Sequence, residues 1–189
     1  MELKKIVVAS GNKNKIREIE QIFDGVKIIP MKDLGFDGDI EETGKTFREN
    51  AKIKAKFIAE KFGVPALADD SGLCVNALGG APGIYSARFS GKGESENRKL
   101  LLEKLTGATD RGAHFESAVC LYFPDGKEYF GSGKTEGKIL FEETGENGFG
   151  YDSLFFSNDL NKSFGLATSE EKNSVSHRYR ALCDLRSKL

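Results

Sequence analysis

The first thirty residues alternate apolar runs with one amphipathic stretch. Residues 6–9 and 26–29 are short apolar segments rich in β-branched side chains, which is typical of buried strands. Between them, Ile16, Ile19 and Phe23 recur at helical spacing. The pattern therefore predicts a strand, a glycine-containing loop, a helix and a second strand.

Two longer helical patterns begin at capping boxes. Thr46 and Glu49 match S/T-x-x-E, and the helical spacing continues to residue 62, where Gly63 and Pro65 mark the end. Thr168-x-x-Glu171 is a second capping box and predicts one final helix that extends to the C-terminus. The apolar face of this final helix comprises Val175, Tyr179, Leu182 and Leu189.

The middle of the chain reads as strands and turns. Residues 66–68 predict a buried strand that runs into Asp69-Asp70-Ser71-Gly72, and residues 73–75 predict a further short strand. Residues 115–123 alternate like a long strand, and Pro124-Asp125-Gly126 predicts a hairpin turn. Strand–helix–strand order combined with a hairpin predicts an α/β fold with a mixed sheet. At 189 residues we expect a single domain, residues 1–189, with two lobes and a central cleft.

Composition narrows the classes of partner. With 28 Lys and Arg against 29 Asp and Glu, the net charge of -1 argues against a general nucleic-acid binder. No apolar run approaches membrane-spanning length, so no membrane partner is expected. Cys74, Cys120 and Cys183 lie far apart and match neither a zinc motif nor a disulfide framework. This cysteine usage fits a reducing compartment, and we expect a cytoplasmic protein.

The loop at residues 10–15 is the first candidate for chemistry. A glycine loop that precedes a helix directs backbone N–H groups and the positive end of the helix dipole toward an anion, and Lys13 and Lys15 add full charges. This arrangement suits phosphate. On this loop alone, a tight turn with solvated lysines is an equally good interpretation.

Acidic pairs form the second candidate. Asp69-Asp70 follows an apolar strand, and Glu41-Glu42 lies in a polar loop. Mg²⁺ prefers carboxylate oxygens together with substrate phosphates, and two adjacent aspartates can give one of them a raised pKa and a role as a base. A turn at Asp69-Asp70 and a solvated loop at Glu41-Glu42 are the alternatives.

Two further segments carry candidate substrate contacts. In 147–152 (NGFGYD), two aromatic residues stand between glycines, which suits stacking on a purine base but also a turn that buries core aromatics. In the last helical pattern, His177 and Arg178 cannot both follow the apolar face. Arginine carries only donors, so Arg178 would favour the O6 acceptor of inosine or xanthine over the amino group of adenine. The alternative is a charged solvent-facing surface.

One apparent motif is rejected. Residues 131–135 (GSGKT) end like a phosphate-binding P-loop, but Glu128 stands where the first glycine is required and Gly137 falls where a helix should start. This segment predicts a strand and turn instead. His114 lies in a strand pattern and is interpreted as structural.

Together these segments resemble the inosine triphosphate pyrophosphatase family, also called non-canonical purine NTP or XTP/dITP diphosphatases. Any one motif is weak, but seven occur in order through nearly the whole chain. They are S-G-N-x-x-K-x-x-E at 10–18, E-E-T-G at 41–44, F-x-E-N-A at 47–51, A-D-D-S-G-L at 68–73, L-G-G-A-P-G-I-Y-S-A-R at 78–88, G-F-G-Y-D at 148–152 and S-H-R-x-x-A at 176–181. Ser10 and Ser153 depart from the threonine and proline common in relatives.

The resemblance implies hydrolysis of ITP, dITP or XTP to a nucleoside monophosphate and pyrophosphate, with Mg²⁺ as cofactor. It also implies a two-lobed α/β fold with an elongated mixed sheet flanked by helices, and a homodimer. Glu41 and Asp70 would bind the metal and Asp70 would activate water, although Glu42 and Asp69 could exchange roles with them. Residues 10–15 would hold the triphosphate. The residues carried over as substrate contacts are Ser10, Gly11, Asn12, Lys13, Asn14, Lys15, Ser71, Phe149, Gly150, Tyr151, Asp152, Lys172, His177 and Arg178.

Two rival functions remain open. A Maf-like pyrophosphatase acting on pyrimidine or modified nucleotides is disfavoured by the S-H-R and F-G-Y-D segments. A nucleotide sensor without catalysis is disfavoured by the acidic pairs.

Overall fold

The computed structural model describes residues 4–23 and 25–189, and within them seven strands form one mixed sheet in the order β2-β1-β3-β4-β5-β6-β7. The strands are β1 (Lys5–Val8), β2 (Lys27–Pro30), β3 (Ala66–Val75), β4 (Gly112–Tyr122), β5 (Glu128–Ile139), β6 (Phe155–Ser157) and β7 (Lys162–Ser163). The helices are α1 (Lys13–Ile22), α2 (Phe47–Phe62), α3 (Glu94–Lys104), α4 (Ser169–Val175) and α5 (His177–Arg186). Strand β1 pairs in parallel with β2 and β3, whereas β6 pairs antiparallel with β5 and β7. The predicted α/β class with a mixed sheet flanked by helices is therefore confirmed.

The chain divides into two compact units. Unit 1 comprises Met1–Asp70, Ser117–Gly133 and Arg178–Leu189, and unit 2 comprises Ser71–Glu116 and Lys134–His177. Strands β3, β4 and β5 each contribute residues to both units.

Unit 1 has a core on each face of its part of the sheet. Because successive strand side chains point to opposite faces, β1 places Ile6 and Val8 in one core and Val7 in the other. The first core also receives Ile19 from α1 and Leu182 from α5. The second core is built against the alanine-rich face of α2, which permits close packing of helix on sheet.

Unit 2 has its own aromatic core. Phe115 lies 4.7 Å from Phe155 between ring centroids, and Phe155 lies 5.1 Å from Phe164. Leu101 of α3 and Ile139 of β5 belong to the same buried cluster. This core supports the outer half of β3 and β4 and the segment that follows β5.

The local signals for helix ends and turns are confirmed. Thr46 Oγ1 accepts a hydrogen bond from the Glu49 backbone N–H at 3.1 Å, and Gly63 ends α2 with a left-handed φ of 64°. Thr168 and Glu171 form the complete capping box of α4. The hairpin at 124–126 closes with the Gly126 N–H donating to the Phe123 carbonyl at 2.9 Å.

Two predictions of secondary structure were wrong. Residues 66–75 form one ten-residue strand rather than two strands around a turn, so Asp69 and Asp70 lie inside β3. The final helix is divided at Ser176, whose extended backbone (φ -67°, ψ 154°) separates α4 from α5. The break reorients the apolar face, so that Ala181, Leu182 and Leu185 are buried while Tyr179 and Leu189 are exposed.

Residues 131–135 lie in β5, as expected once the P-loop was rejected. Gly131 is required for packing, because a Cβ there would stand 2.0 Å from the carbonyl oxygen of Ala181 in α5. All three cysteines are free thiols. In the part of the chain that is described, no helix has the length and apolar character needed to cross a bilayer.

Gly72 explains why β3 can continue past its polar residues. A Cβ at this position would lie 2.2 Å from the Gly83 carbonyl oxygen and 2.5 Å from Ser86 Oγ. We expect Gly72→Ala to lower the free energy of unfolding by about 1–3 kcal/mol through this overpacking. Urea denaturation measures the change, with Gly11→Ala as control, because its Cβ would meet nothing closer than 4.0 Å. Equal stability of the two variants would contradict the expectation.

Candidate active site

In unit 1, the loop between β1 and α1 is organised by Asn12. Its Oδ1 accepts hydrogen bonds from the backbone N–H groups of Asn14 at 2.9 Å and Lys15 at 3.2 Å, and its own N–H donates to Ser10 Oγ at 3.2 Å. Asn12 is thus the N-cap of α1. Gly11 is exposed, and a Cβ built there would meet no atom closer than 4.0 Å. The backbone at Gly11 is therefore accessible to a ligand. The predicted strand–loop–helix arrangement is present, and its role toward phosphate stays a prediction.

Asp69 is fully surrounded by partners within unit 1. Its Oδ1 accepts a hydrogen bond from Ser117 Oγ, and its Oδ2 lies 2.8 Å from Lys15 Nζ and 3.2 Å from Arg178 Nη2. The residue is 1% exposed. This carboxylate therefore holds β3, β4, α1 and α5 together.

Arg178 is 1% exposed and lies between two carboxylates. Besides Asp69, it forms a buried ion pair with Glu18 of α1. The alternative of a solvent-facing surface is excluded for this residue. Its guanidinium fork matches two carboxylates at once, an arrangement that a lysine could not reproduce.

Asp70, the next residue, lies in a different environment. Lys54 of α2 donates to Glu42 Oε1 at 2.6 Å and to the Asp69 carbonyl at 3.0 Å, and its Nζ lies 3.7 Å from Asp70 Oδ1. A single ammonium group thus contacts Glu42 and Asp70. The structure brings together two carboxylates from distant parts of the chain around one cation.

The pKa values of the two aspartates move in opposite directions. Burial is the largest influence on Asp70 and raises its pKa, and Glu42 adds to the shift against the opposing effect of Lys54 and Lys15. Burial would also raise the pKa of Asp69, but Arg178 and Lys15 outweigh it and hold that pKa well below its ordinary value. Neighbouring acids with separated pKa values are typical of acid–base sites, in which one group stays charged and the other exchanges a proton.

The carboxylates around Lys54 also suit a divalent metal. Mg²⁺ is bound by hard oxygen ligands and commonly uses one or two carboxylates with substrate phosphates. Glu42 and Asp70 supply such oxygens, and the Lys54 ammonium between them shows that the position favours positive charge. Glu41 is exposed and forms no hydrogen bond or ion pair with the described residues. Of the two glutamates, Glu42 is therefore the one that the structure brings to Asp70.

In unit 2, the segment after β5 is tied down by Asp152. Its Oδ2 accepts from the Phe149 backbone N–H at 2.8 Å and from Lys172 Nζ at 2.7 Å. Gly148 has a φ of 78°, and a Cβ there would stand 2.1 Å from the same carboxylate oxygen. Gly150 is bonded by its N–H to Glu94 at 2.9 Å. Hydrogen bonds to Asp152 and Glu94 therefore hold this segment in a defined turn.

The two aromatic residues of this turn have different environments. Phe149 is half-buried, with the Lys172 ammonium 4.6 Å from its ring centroid. Tyr151 is 4% exposed within the unit 2 core, and its hydroxyl donates to the Ser86 carbonyl at 2.9 Å. Of the two alternatives for this segment, burial of a core aromatic holds for Tyr151, and its contact with substrate stays a prediction. Phe149 retains an accessible ring.

His177 and Ser71 also lie in unit 2. The His177 ring stacks on Phe115 at 4.9 Å between centroids with 15° between planes, and the residue is 5% exposed. Ser71 is half-buried and follows Asp70 directly on β3. Their contacts with substrate remain predictions.

Sequence reasoning missed three residues that the structure places around the aspartates. Lys54, Ser117 and Glu18 contact the carboxylates or their partner Arg178. Glu18 ends the S-G-N-x-x-K-x-x-E motif, which was the available signal. Nothing in the sequence distinguishes Lys54 from Lys52 and Lys56 on the same helix.

Comparison with known proteins agrees with this organisation. The sequence profile described as "Ham1 family" matches residues 6–188. The dITP/XTP pyrophosphatase of Haemophilus influenzae is 45% identical over 193 residues, covering 98% of each chain. That of Deinococcus deserti is 48% identical over 185 residues, covering 97% of this chain and 88% of the relative.

Solved structures agree as well. The Staphylococcus aureus Ham1 protein superposes with a TM-score of 0.88 at 41% identity, covering 98% of this chain and 97% of the other. A nucleoside-triphosphatase / dITP/XTP pyrophosphatase from Mycobacterium abscessus gives 0.77 at 40% identity, covering 95% and 97%. Profile, sequence and structure all match over nearly the full length, and the chain belongs to the Ham1 family.

Proposed function

We propose that this protein is a Mg²⁺-dependent pyrophosphatase that hydrolyses ITP, dITP and XTP to the nucleoside monophosphate and pyrophosphate. The observation that carries the proposal is the arrangement around Asp70, a carboxylate whose pKa is raised by burial and which shares the Lys54 ammonium with Glu42. The relatives named dITP/XTP pyrophosphatase support the choice of substrate. The activity would remove abnormal purine nucleotides from the nucleotide pool.

The residues of unit 1 are assigned the phosphate chemistry. The loop at residues 10–15 binds phosphate oxygens through the exposed backbone at Gly11 and the side chains of Lys13 and Lys15, and stabilises the pyrophosphate as it leaves. Asp70 accepts the proton of the attacking water, and its raised pKa favours that transfer.

Metal ligands are assigned to the same unit. Glu42 and Asp70 would hold Mg²⁺, with Glu41 as the further ligand implied by family resemblance. When bound, the metal supplies neutralisation of phosphate charge and orientation of water. Asp69 is assigned a positioning role, since its oxygens are engaged by Ser117, Lys15 and Arg178.

The residues of unit 2 are assigned recognition of the nucleoside. Phe149 offers a ring for stacking on the base, and Asp152 fixes the turn that carries it. Lys172 and His177 are polar side chains on either side of the break between α4 and α5. Ser71 and Gly150 are further proposed contacts, and Tyr151 is proposed to act from the core by shaping the turn.

We also propose that the protein is a single functional domain, forms a homodimer and acts in the cytoplasm. The domain assignment is supported by one family profile that spans residues 6–188. The homodimer is proposed from family resemblance. The three free thiols support a reducing compartment.

A nucleotide panel tests the proposed activity. With excess Mg²⁺, we expect kcat/KM for ITP, dITP and XTP to exceed that for ATP by roughly 100-fold or more, since a site that pairs with O6 leaves polar groups unmatched against adenine. The products should be monophosphate and pyrophosphate in equal amounts, and chelation of the metal should abolish turnover. Release of single phosphate, a preference for pyrimidine nucleotides, or binding without turnover would each contradict the proposal.

A further inference from the structure

Unit 2 contains a second cluster of ligand-type side chains that has no part in the proposed reaction. Cys74 lies on β3, and His114 and Glu116 lie on β4. Each residue offers one ligand atom, and the three atoms lie within 4.8 Å of one another. They are the thiol sulfur, a ring nitrogen and a carboxylate oxygen.

The strand pattern explains how these three residues meet. Leu73, Val75, Ala113 and Phe115 all point into the unit 2 core. Because strand side chains alternate between faces, Cys74, His114 and Glu116 lie on the opposite face. Strands β3 and β4 are neighbours in the sheet, so one strand provides two ligands at i and i+2 and the other provides the third.

The distances suit a small tetrahedral metal ion. His114 Nε2 lies 3.5 Å from Glu116 Oε2. Two ligands bound at 2.0–2.1 Å in tetrahedral geometry stand about 3.4 Å apart, so this pair already has the required spacing. All three residues are partly buried, which limits their motion while leaving access from solvent.

The donor types select the class of metal. A thiolate with an imidazole and a carboxylate favours Zn²⁺ and Co²⁺ over Mg²⁺ and Ca²⁺, which prefer oxygen. Three protein ligands leave a fourth position for water or an external ligand. Lys134 Nζ lies 3.1 Å from Glu116 Oε2, but its side chain is 52% exposed and has room to turn into solvent when a divalent cation replaces it.

We propose that Cys74, His114 and Glu116 form a binding site for a divalent transition metal such as Zn²⁺, separate from the Mg²⁺ site assigned to unit 1. No zinc motif is visible in the sequence because the ligands come from two strands with α3 between them. The site stands whether or not the proposed pyrophosphatase activity is correct, since it shares no residue with it.

Titration with Co²⁺ tests the proposal on the full-length protein. The chain is stripped with a chelator, exchanged into excess Mg²⁺ so that oxygen-rich sites are filled, and titrated while the near-ultraviolet spectrum is recorded. We expect one Co²⁺ per chain and a thiolate-to-cobalt charge-transfer band. Cys74→Ser should abolish the band. His114→Ala and Glu116→Gln should weaken Co²⁺ binding by at least roughly tenfold, because the loss of even an outer-shell partner lowers metal affinity about 10–100-fold.

Cys183→Ser is the matched control, since Cys183 is an exposed free thiol on α5. This variant should keep the band and the affinity. Circular dichroism shows whether each variant is folded. If Cys74→Ser does not fold, the titrations of His114→Ala and Glu116→Gln test whether these residues bind the metal. Absence of the band in the unsubstituted protein, its persistence in folded Cys74→Ser, its loss in Cys183→Ser, or unchanged affinity in both other variants would overturn the proposal.

Discussion

Asp70→Asn is expected to reduce turnover of ITP by at least roughly 100-fold, the lower end of what a general base contributes. Asparagine keeps the shape of the side chain but neither accepts the proton of water nor provides a charged metal ligand. Steady-state pyrophosphate release measures the loss. Asp37→Asn, in an exposed loop, is the control and should retain full activity.

The same substitution should not destabilise the metal-free protein. The pKa of Asp70 is raised in the folded state, so the carboxyl contributes stability below its unfolded pKa that is lost as pH rises through the folded pKa. At neutral pH the buried charge is unfavourable, and asparagine removes it. We expect the Tm of Asp70→Asn in chelator to equal or exceed that of the parent at pH 7.5, with the difference shrinking as the pH approaches about 4, the ordinary aspartate pKa. An active Asn variant, or a large drop in Tm, would contradict the role assigned to Asp70.

Arg178→Ala is expected to lower the free energy of unfolding by about 3–5 kcal/mol, the usual cost of removing one partner from a buried ion pair. Arg178 lies between Glu18 and Asp69, and its loss leaves the Glu18 and Asp69 charges without the cation between them. Urea denaturation followed by circular dichroism measures the effect. Arg17→Ala, on the exposed side of α1, should change stability by less than about 0.5 kcal/mol.

A different variant, Arg178→Lys, tests the proposed role of Arg178 in base selection. Arg178→Lys keeps a positive charge and should preserve more of the fold, but its ammonium lacks the planar fork of donors. We expect the ratio of ITP to ATP turnover to fall in this variant. An unchanged ratio would remove the O6 argument and leave Arg178 with the structural role alone, whereas unchanged stability of Arg178→Ala would remove the structural role.

Features encoded by neighbouring residues were predictable from the sequence. The caps at Thr46 and Thr168 and the helix end at Gly63 depend on side-chain-to-backbone contacts within one turn, so a short motif specifies them. The loop at residues 10–15 follows the same logic, since Asn12 forms hydrogen bonds with Ser10, Asn14 and Lys15, all within three residues of it. Local chemistry sufficed in each case.

Features that depend on distant contacts were not predictable in this way. The D-D-S-G segment has the composition of a turn, yet it forms part of β3. Its glycine, Gly72, packs closely against Gly83 and Ser86, which are distant in the sequence. Arg178 lies 160 residues from Glu18 in the sequence, and the hydrophobic pattern of the chain does not indicate that the two residues form an ion pair. Lys54 differs from the neighbouring lysines of α2 only through what the folded chain places opposite it. Family resemblance named Asp70 and Arg178 without revealing that the second is buried.

The unbroken run of β3 has a consequence for insertions and deletions. Consecutive side chains of a strand project to opposite faces of the sheet. Asp69 is therefore enclosed by basic partners, whereas Asp70 on the other face has a raised pKa and is the residue proposed to bind a proton or a metal ion. Loss of one residue just upstream would move Asp70 into the place of Asp69, between Lys15 and Arg178. Asp69 would then take the place of Ala68, where an acid without a basic partner would lie in an apolar core. The spacing of this short ribbon is therefore as tightly constrained as the identity of its side chains.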